Sequence, residues 1–359
     1  MQPETPRSLG YRMPAEWQKH SSTWIAWPHN TADWPGKFQP VPWVYAEIVR
    51  VLSRVEDTNI LVNDAYTEQR ASSILRRAGA NLARVHFHQW PTNRIWMRDS
   101  GPIFIKNATG DLAITDWKFN AWGKQEHPSK YALDDALPGR VADLYGMRQW
   151  QPVVSLADGV ERHVVLEGGS IDTNGAGVLL TTEECLLSDV QQRNPGVSRE
   201  QLEATFDRYL GIDQVIWLNR GCAGDDTHGH VDDITRFVAE NTIVTCVEHN
   251  LHDENHLPLA ENLDRLHTAR NLQGKPFHIV ELPMPLPVTF EGRRLPASYA
   301  NFYIANDAVL VPTFNDPNDR HALNLLAECF PTRQITGVNC SDFIWGLGAL
   351  HCMTQQEPA

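Results

Sequence analysis

The sequence has no long apolar segment. No run among its 359 residues approaches the roughly 18 consecutive apolar residues that a membrane-spanning helix needs. The opening MQPETPRSLGYRMPAEW also lacks the apolar stretch of a signal peptide. Neither a membrane partner nor secretion is therefore indicated.

Cysteine is sparse, and its spacing has no recognisable framework. The six cysteines are spread widely, and no two of them form a C-x-x-C pair of the kind found in zinc and redox sites. This usage favours reduced thiols in the cytoplasm, with most cysteines packed as small apolar residues. Low-complexity tracts and a convincing interdomain linker are missing as well, and the Pro-rich segment 282–296 is interpreted as an active-site loop.

Positive charge is in short supply. The 31 Lys and Arg face 44 Asp and Glu, which gives a net charge of −13. A nucleic-acid partner would need basic patches for its phosphates, and none is present, so no nucleic-acid partner is expected. The excess of acid is compatible with a cationic substrate, although many proteins carry such charge only for solubility.

What the chain does contain is a repeated pattern of a short polar motif, an apolar strand, a tight turn, a second strand and a helix. One polar residue of each motif recurs about every 60 to 70 residues, namely Asp99, Glu167, His230 and Asn301. Cys352 follows in GALHCMTQQ near the end of the sequence. A period of this size indicates an array of similar units whose equivalent ends converge. These side chains are therefore expected to meet at one centre.

Each repeat is predicted to have the order β-β-α-β, which makes the fold α/β. Turn signals separate the paired strands at residues 107–110, 174–177, 240–242 and 306–307. Helices are predicted after Pro42, over residues 67–80, after Ser198, which forms a capping box with Gln201, and from Asp319 as an N-cap. The length allows two or three domains, but repeats of this size also close into one.

Cys352 is the candidate nucleophile. A lone cysteine is more often a small apolar core residue, and only its context argues for catalysis. Here the thiol ends the Gly-containing segment GLGALHC, which is predicted to be a strand, and it precedes the polar run TQQ. A thiol at the end of a strand beside small residues is expected to be accessible.

His230 has two interpretations. His228, His230 and Asp232 form H-x-H-x-D, which on a strand places alternate residues on one face and suggests the metal site of an amidohydrolase. The same spacing places His230 and Asp232 side by side without a metal. The remaining residues lack the barrel that would carry further metal ligands, so the metal-free interpretation is favoured.

Asp99 and Glu167 lie beside glycines, in IWMRDSGP and VLEGGS, where a single carboxylate is often only a turn former. Together with Asp232 they would form a set of converging carboxylates, which repel one another unless a cation neutralises them. In the absence of a metal pattern, we expect that cation to be the substrate. A planar guanidinium fits best, because paired carboxylates accept its fork of five N–H donors bidentately.

Several motifs resemble those of the agmatine deiminase family, within the guanidino-group-modifying (pentein) superfamily. They are YRMPAEWQKHSSTWIAWPHN, WMRDSGP, FNAWG, EGGS, GDDTHGHVD, SYANFYIAN and LHCMTQQ, and they extend from about Tyr11 to Gln356. The resemblance implies a five-bladed pseudosymmetric α/β propeller of ββαβ repeats around a central active site. It further implies one catalytic domain over residues 1–359, no cofactor and no metal.

The resemblance also implies roles for the residues of the predicted centre. Cys352 matches the nucleophile and His230 the acid/base. Asp99 and Asp232 match the carboxylates that bind the guanidinium, and Glu167 matches the position that supports the histidine.

A second group of residues is expected to bind substrate. Trp96 matches a substrate-packing aromatic residue, Asn301 matches a polar residue of the site, and Trp122 lies in the FNAWG motif. Asp226, together with its neighbour Asp225, is a candidate for holding a distal ammonium group, although a plain turn role is equally open to both.

The implied reaction is hydrolysis of agmatine to N-carbamoylputrescine and ammonia through an S-alkylthiouronium on Cys352, a step of polyamine biosynthesis. Alternatives of the same fold are deimination of arginine or peptidyl-arginine, and amidino transfer to an amine. A metal-dependent amidohydrolase using His228 and His230, and a catalytically dead propeller that only binds, are alternatives from other classes. Agmatine is favoured because an acidic site should prefer a dication to a substrate with an extra carboxylate. A homo-oligomer remains open.

Overall fold

The computed structural model describes residues 4–156 and 159–359. The α-helices in this part of the chain are Val41–Val55 (α1), Ala65–Ala78 (α2), Met97–Ser100 (α3), Ala132–Asp135 (α4), Leu137–Tyr145 (α5), Glu183–Leu187 (α6), Arg199–Leu210 (α7), His256–Thr268 (α8) and Asp319–Cys329 (α9). Each described helix is too short or too polar to span a lipid bilayer.

The strands are equally short and follow the predicted turns. They are His20–Ala26 (β1), Asp57–Leu61 (β2), Val85–His88 (β3), Ile103–Lys106 (β4), Leu112–Thr115 (β5), Arg148–Trp150 (β6), Val153–Ser155 (β7), Glu161–His163 (β8), Asp172–Thr173 (β9), Val178–Thr182 (β10), Gln214–Leu218 (β11), Thr235–Ala239 (β12), Thr242–Val247 (β13), His278–Pro283 (β14), Thr289–Phe290 (β15), Arg293–Arg294 (β16), Tyr303–Ile304 (β17), Ala308–Thr313 (β18), Gln334–Asn339 (β19) and Gln355–Pro358 (β20).

Sheets of three or four strands form the framework. Their strand orders are β4-β5-β6, β9-β10-β11, β12-β13-β14, β17-β18-β19 and β20-β1-β2-β3. In each sheet an antiparallel pair is followed by a parallel pair, with at least one helix in the crossover because parallel strands need a long connection. The β-β-α-β order and the mixed α/β class are therefore confirmed.

The sheet β20-β1-β2-β3 joins the two ends of the chain. Strand β20 pairs with β1 in antiparallel fashion, for example Trp24 with Gln355, and β1 pairs in parallel with β2. This sheet has the same arrangement as the others once its first strand is taken from the C-terminal end. Its hairpin partner is thus supplied by the segment that directly follows Cys352.

Helix α7 shows how local sequence fixes one crossover. The Ser198 hydroxyl accepts a hydrogen bond from the Gln201 backbone N–H at 3.3 Å, and the Gln201 side chain accepts one from the Ser198 N–H at 2.9 Å. Gly211 ends the helix with φ near +69°, a conformation that glycine adopts without strain. The predicted capping box is confirmed.

Helix α9 begins differently from the prediction. Asp319 is its first residue rather than its N-cap, and Asn318 precedes it without a side-chain cap. The Asp319 carboxylate instead accepts the backbone N–H groups of Phe314 and Asp316 in the preceding loop. The aspartate therefore stabilises the loop that precedes the helix and does not cap the helix itself.

The segment before Cys352 is not a strand, which corrects the prediction made for GLGALHC. Residues Phe343–Gly346 form a 3-10 helix, residues 347–353 continue as bends and turns, and β20 begins only at Gln355. The turn is held by a distant side chain, since Asn301 accepts the backbone N–H groups of His351 and Cys352. Cys352 therefore lies just before a strand rather than at the end of one.

Candidate active site

The polar motifs of the repeats meet because each lies at the same place in its sheet. Asp99 lies shortly before β4, Glu167 before β9, His230 before β12, Asn301 before β17 and Cys352 before β20. In every case the residue precedes the first strand of the sheet's antiparallel pair. Contacts between these side chains show that the predicted convergence occurs.

Cys352 is buried at this centre, with 5% of its surface exposed. Its Sγ lies 3.1 Å from Asn301 Nδ2, which donates a hydrogen bond to it, and 3.7 Å from Asp232 Oδ2. Burial raises the pKa of the Cys352 thiol well above its ordinary value, and neighbouring carboxylates, Asp232 first among them, raise it further. The site thus favours the protonated thiol when no cation is present, and the thiol is less exposed than expected.

His230 is completely buried among three carboxylates. Its Nδ1 lies 3.7 Å from Asp99 Oδ1 and 3.9 Å from Asp232 Oδ1, and its Nε2 lies 3.7 Å from Glu167 Oε2. Among the described residues neither ring nitrogen has a hydrogen-bond partner. Burial alone would lower the pKa of His230, but Asp99 first, and then Cys185 and Glu167, outweigh it and raise the pKa well above its ordinary value. His230 is therefore poised as an imidazolium.

Asp99 is held by two N–H groups. Trp122 Nε1 donates to Asp99 Oδ2 at 2.8 Å, and the backbone N–H of Gly169 donates to Oδ1 at 3.2 Å. Burial raises the pKa of Asp99 to about 6, although His230 acts in the opposite direction. A Cβ at Gly169 would lie 2.6 Å from His230 Nδ1 and 2.7 Å from Asp99 Oδ1, so this position in EGGS has room only for glycine.

Glu167 is paired with Arg193, which sequence reasoning missed. Arg193 Nε lies 3.2 Å from Glu167 Oε1, and both side chains are completely buried. Burial would raise the pKa of Glu167, but Arg193 and His230 lower it to about 2. Glu167 is therefore ionised, and its carboxylate faces His230 Nε2. No feature of the segment QQRNPG marked Arg193 in advance, since a buried arginine resembles a surface arginine in sequence.

Asp232 and its neighbour Asp233 have different partners. Asp232 Oδ2 lies 2.6 Å from His351 Nδ1, and Asp233 Oδ1 accepts a hydrogen bond from Asn301 Nδ2 at 3.0 Å. His351 Nε2 in turn lies 2.7 Å from Glu16 Oε2. Sequence reasoning also missed Glu16 and His351; the latter's position directly before Cys352 was the only available signal.

A narrow cavity of about 20 Å³ adjoins Cys352, room for about one water molecule. Its lining residues are Arg94, Trp96, Asp99, Trp122, Asp226, Thr227, Gly346, Leu347, Gly348 and Cys352. A Cβ at Gly348 would lie 2.6 Å from the Trp96 ring, so the indole packs directly against the backbone there. A larger groove of about 570 Å³ is lined by residues of α7 and β11 instead, away from the motifs.

The two candidates for a distal ammonium site differ. Asp226 lines the cavity, and its Oδ2 lies 2.6 Å from Lys124 Nζ. Asp225 uses both carboxylate oxygens within its own loop, accepting the N–H groups of Thr227, Gly229 and His230. Asp225 therefore has the turn role that the sequence left open, and only Asp226 adjoins the cavity.

The Pro-rich segment 282–296 does not contribute to the cavity wall. It contains the hairpin of β15 and β16, and the Phe290 ring packs 4.6 Å from the Trp345 ring, centroid to centroid. None of the cavity-lining residues comes from this segment within the described chain. It contacts the 3-10 helix that ends at Gly346, and its interpretation as an active-site loop stays a prediction.

The H-x-H-x-D arrangement does not converge as a metal site would. His228 has φ near +64° and lies 3.1 Å from Ser188 Oγ and 3.9 Å from Glu184 Oε1, both through its own ring nitrogens. Among the described residues, the two sets with mutually close metal-ligand atoms are Glu167, Cys185 and His230, and Asp232, Asp233 and Cys352. Neither set includes His228, because the segment forms a 3-10 turn rather than a strand.

The chain as a whole is similar to proteins of known family. Residues 12–358 match the family model for Porphyromonas-type peptidyl-arginine deiminases. The agmatine deiminase of Ectopseudomonas mendocina is 32% identical, with 99% of this chain and 97% of the relative covered.

Solved structures give the same result. The agmatine deiminase of Enterococcus faecalis superposes with a TM-score of 0.89 at 29% identity, covering 100% of this chain and 98% of that one. An agmatine deiminase of C. jejuni with substrate bound superposes with a TM-score of 0.83 at 30% identity, covering 97% and 96%. The similarity therefore extends over nearly the whole chain.

Proposed function

The chain belongs to the Porphyromonas-type peptidyl-arginine deiminase family, and from this premise we propose that it is an agmatine deiminase. It hydrolyses the guanidine group of agmatine to give N-carbamoylputrescine and ammonia, a step towards putrescine in polyamine biosynthesis. The observation that carries the proposal is that Cys352 and Asp99 line one narrow cavity and that His230 lies against Asp99.

The architecture proposed for this function is a five-bladed propeller that forms one catalytic domain over residues 1–359 and acts in the cytoplasm without a cofactor. The support for it is positional. Each of five similar sheets contributes a site residue just before the first strand of its antiparallel pair. Equivalent ends of five units meet most simply when the units surround a common centre.

The first half-reaction forms a covalent intermediate. Asp99 and Asp232 hold the guanidinium with its central carbon over Cys352, and the substrate's positive charge offsets the burial and the carboxylates that disfavour the thiolate. As the cation binds, the thiol loses its proton to solvent, and the thiolate attacks the carbon and forms a C–S bond. His230 gives its proton to the departing nitrogen, the C–N bond breaks, and ammonia leaves an S-alkylthiouronium on Cys352.

The second half-reaction reverses these roles. His230, now neutral, takes a proton from a water molecule whose oxygen attacks the same carbon. The C–S bond then breaks, the sulfur keeps the electron pair and takes up the remaining hydroxyl proton, and the ureido product leaves. Glu167, ionised and 3.7 Å from His230 Nε2, favours the imidazolium that must form again in this step.

Agmatine is the preferred substrate because it is a dication. The cavity carries Asp226 in addition to the carboxylates around Cys352, and we assign the distal ammonium to Asp226, in competition with Lys124. Because the cavity has room for about one water molecule, binding is expected to move the lining segment 346–348. Trp96 and Trp122 would then pack against the carbon chain of the substrate.

Arginine is the second candidate, and one residue favours it. Arg94 lines the same cavity and could pair with the carboxylate of an arginine. In the structure, however, its Nε lies 2.8 Å from Asp33 Oδ1, so this cation is already neutralised. Because of this pairing, arginine is a less favoured candidate substrate than agmatine.

The test is ammonia release by purified protein from agmatine, arginine, guanidinobutyrate and an arginyl peptide. We expect agmatine to be preferred by about a hundredfold or more in kcat/KM. Cys352→Ala should abolish turnover, Cys329→Ala on α9 is the control, and the intact mass during turnover should show an adduct on Cys352 alone. Equal use of arginine would overturn the assignment of agmatine as the substrate. Turnover by Cys352→Ala would overturn the proposed mechanism. Activity that a chelator removes and zinc restores would favour a metal-dependent amidohydrolase.

A further inference from the structure

A second histidine, His351, lies beside the nucleophile and has no part in the chemistry proposed above. Its side chain is 2% exposed and is held between two carboxylates. Nδ1 lies 2.6 Å from Asp232 Oδ2, and Nε2 lies 2.7 Å from Glu16 Oε2. Both distances are those of strong hydrogen bonds between charged groups.

Glu16 has further partners of its own. Glu16 also faces Arg236 Nη2 at 2.8 Å and Arg98 Nη2 at 3.5 Å, and it accepts the backbone N–H of Ile304. Burial would raise the pKa of Glu16, but Arg236 first, then His351 and Arg98, outweigh it and hold the pKa well below its usual range. Glu16 is therefore an ionised acceptor.

Asp232 is an acceptor for a similar reason. Burial would raise its pKa, but the hydrogen bond from His351 and the charges of His351 and His230 lower it. An ionised carboxylate can only accept hydrogen bonds, and a neutral imidazole has only one N–H. Both nitrogens of the His351 ring therefore face carboxylate oxygens.

The two carboxylate oxygens of Asp232 therefore have different surroundings. Oδ2 is occupied by His351, whereas Oδ1 has no hydrogen-bond partner among the described residues and lies 3.9 Å from His230 Nδ1. We propose that His351 is a positioning residue, held as an imidazolium by Glu16, which fixes Asp232 so that Oδ1 faces the guanidinium. It also compensates the Asp232 charge that lies 3.7 Å from Cys352 Sγ. The role in substrate binding rests on the proposed function.

The surroundings of the ring come from several elements. Glu16 lies in the N-terminal segment, Asp232 in the turn before β12, and Arg98 in α3, where its Nε donates to the His351 carbonyl at 3.4 Å. Arg236 and Asp172 lie behind Glu16 and complete the buried chain of alternating charges. The His351 backbone is held separately, because its N–H donates to Asn301 at 3.0 Å. Changing the ring therefore leaves this anchor of the Cys352 turn intact.

Two substitutions separate the two hydrogen bonds of the ring. In His351→Asn the side-chain amide can occupy the place of Nδ1 and still donate to Asp232. In His351→Gln the amide reaches the place of Nε2 and donates to Glu16 instead. Both variants lose the charge and one donor, and their melting temperatures separate a loss of stability from a loss of positioning. We expect kcat/KM for agmatine to fall at least about tenfold further in His351→Gln than in His351→Asn, at similar melting temperatures. Equal losses in the two variants would overturn the positioning role.

A second measurement does not require turnover or folding of a variant. Both ring nitrogens of His351 in wild-type protein labelled with ¹⁵N-histidine should give the NMR signature of a protonated imidazolium at pH 8. A neutral tautomer there would overturn the inference.

A third measurement uses the variant. Alkylation of Cys352 by iodoacetamide at pH 8 should be slower in His351→Gln than in the wild type, since Asp232 is then uncompensated. If no guanidine releases ammonia while both readouts hold, the proposed function fails and the inference about His351 and Asp232 stands.

Discussion

The side-chain amide of Asn301 donates a hydrogen bond to Cys352 Sγ at 3.1 Å, while its carbonyl oxygen accepts the backbone N–H groups of His351 and Cys352 at 3.0 and 3.3 Å. One side chain thus shapes the turn that carries the thiol and also offers a donor to the sulfur. The carboxylates around Cys352 disfavour the thiolate. A hydrogen-bond donor to the sulfur acts in the opposite direction.

Replacement of Asn301 by Asp should therefore weaken the nucleophile. Asn301→Asp keeps an oxygen for the two backbone N–H groups but places an anionic oxygen near the sulfur in place of the donor. The pKa of the thiol should rise, and alkylation of Cys352 by iodoacetamide at pH 8 should slow by about tenfold or more. The control is Asn107→Asp in the exposed turn between β4 and β5, which should alkylate at the wild-type rate. An unchanged rate in Asn301→Asp would show that the amide does not act on the sulfur.

The hydrogen bond from Trp122 to Asp99 should set the acid limb of the pH profile. Asp99 must be ionised to hold a guanidinium, and its pKa is about 6, raised mainly by burial and lowered by Trp122. The value of kcat/KM should therefore fall as the pH decreases through about 6. Trp122→Phe removes the N–H but keeps an aromatic ring, so the limb should move to higher pH. The measurement is kcat/KM for agmatine from pH 5 to 9; a limb at its wild-type position would contradict this role of Trp122.

Much of the fold could be predicted because its signals are local. The capping box of Ser198 and Gln201 and the turn residues between the paired strands need only neighbouring side chains to form. The pairing of β20 with β1 joins residues more than 300 positions apart and has no local signature. For the same reason GLGALHC was predicted as a strand, although Asn301 holds its end as a turn.

The site could be predicted in part for a related reason. Cys352, His230 and Asp99 occur in repeated polar motifs, and the period alone places them together. Arg193 and Glu16 follow no such period. They are completely buried or nearly so and neutralise charges of the site, but only the folded chain shows which charged residues leave the surface.

Gly169 should be required by the site rather than by the backbone. A Cβ there would lie 2.6 Å from His230 Nδ1 and 2.7 Å from Asp99 Oδ1, so Gly169→Ala must displace both groups. We expect kcat/KM to fall about a hundredfold or more, because small displacements of catalytic groups are costly. Gly139→Ala is the control, since a Cβ at that helical position meets only ordinary contacts. Activity of Gly169→Ala near that of Gly139→Ala would mean that the three groups are less closely packed than the structure has them.

The last prediction concerns the part of the substrate far from Cys352. Asp226 lines the cavity and is paired only with Lys124 among the described side chains. If its carboxylate holds the distal ammonium of agmatine, Asp226→Asn should raise KM for agmatine by about tenfold or more and leave KM for butylguanidine, which lacks that ammonium, nearly unchanged. Lys124→Met removes the competing cation and should not raise KM for agmatine. The control is Asp342→Asn, which breaks a similar ion pair with Lys37 at 2.7 Å outside the cavity. An equal rise in KM for both guanidines in Asp226→Asn would show that Asp226 shapes the cavity but does not bind the ammonium. The preference for agmatine would then have to come from the carboxylates around Cys352.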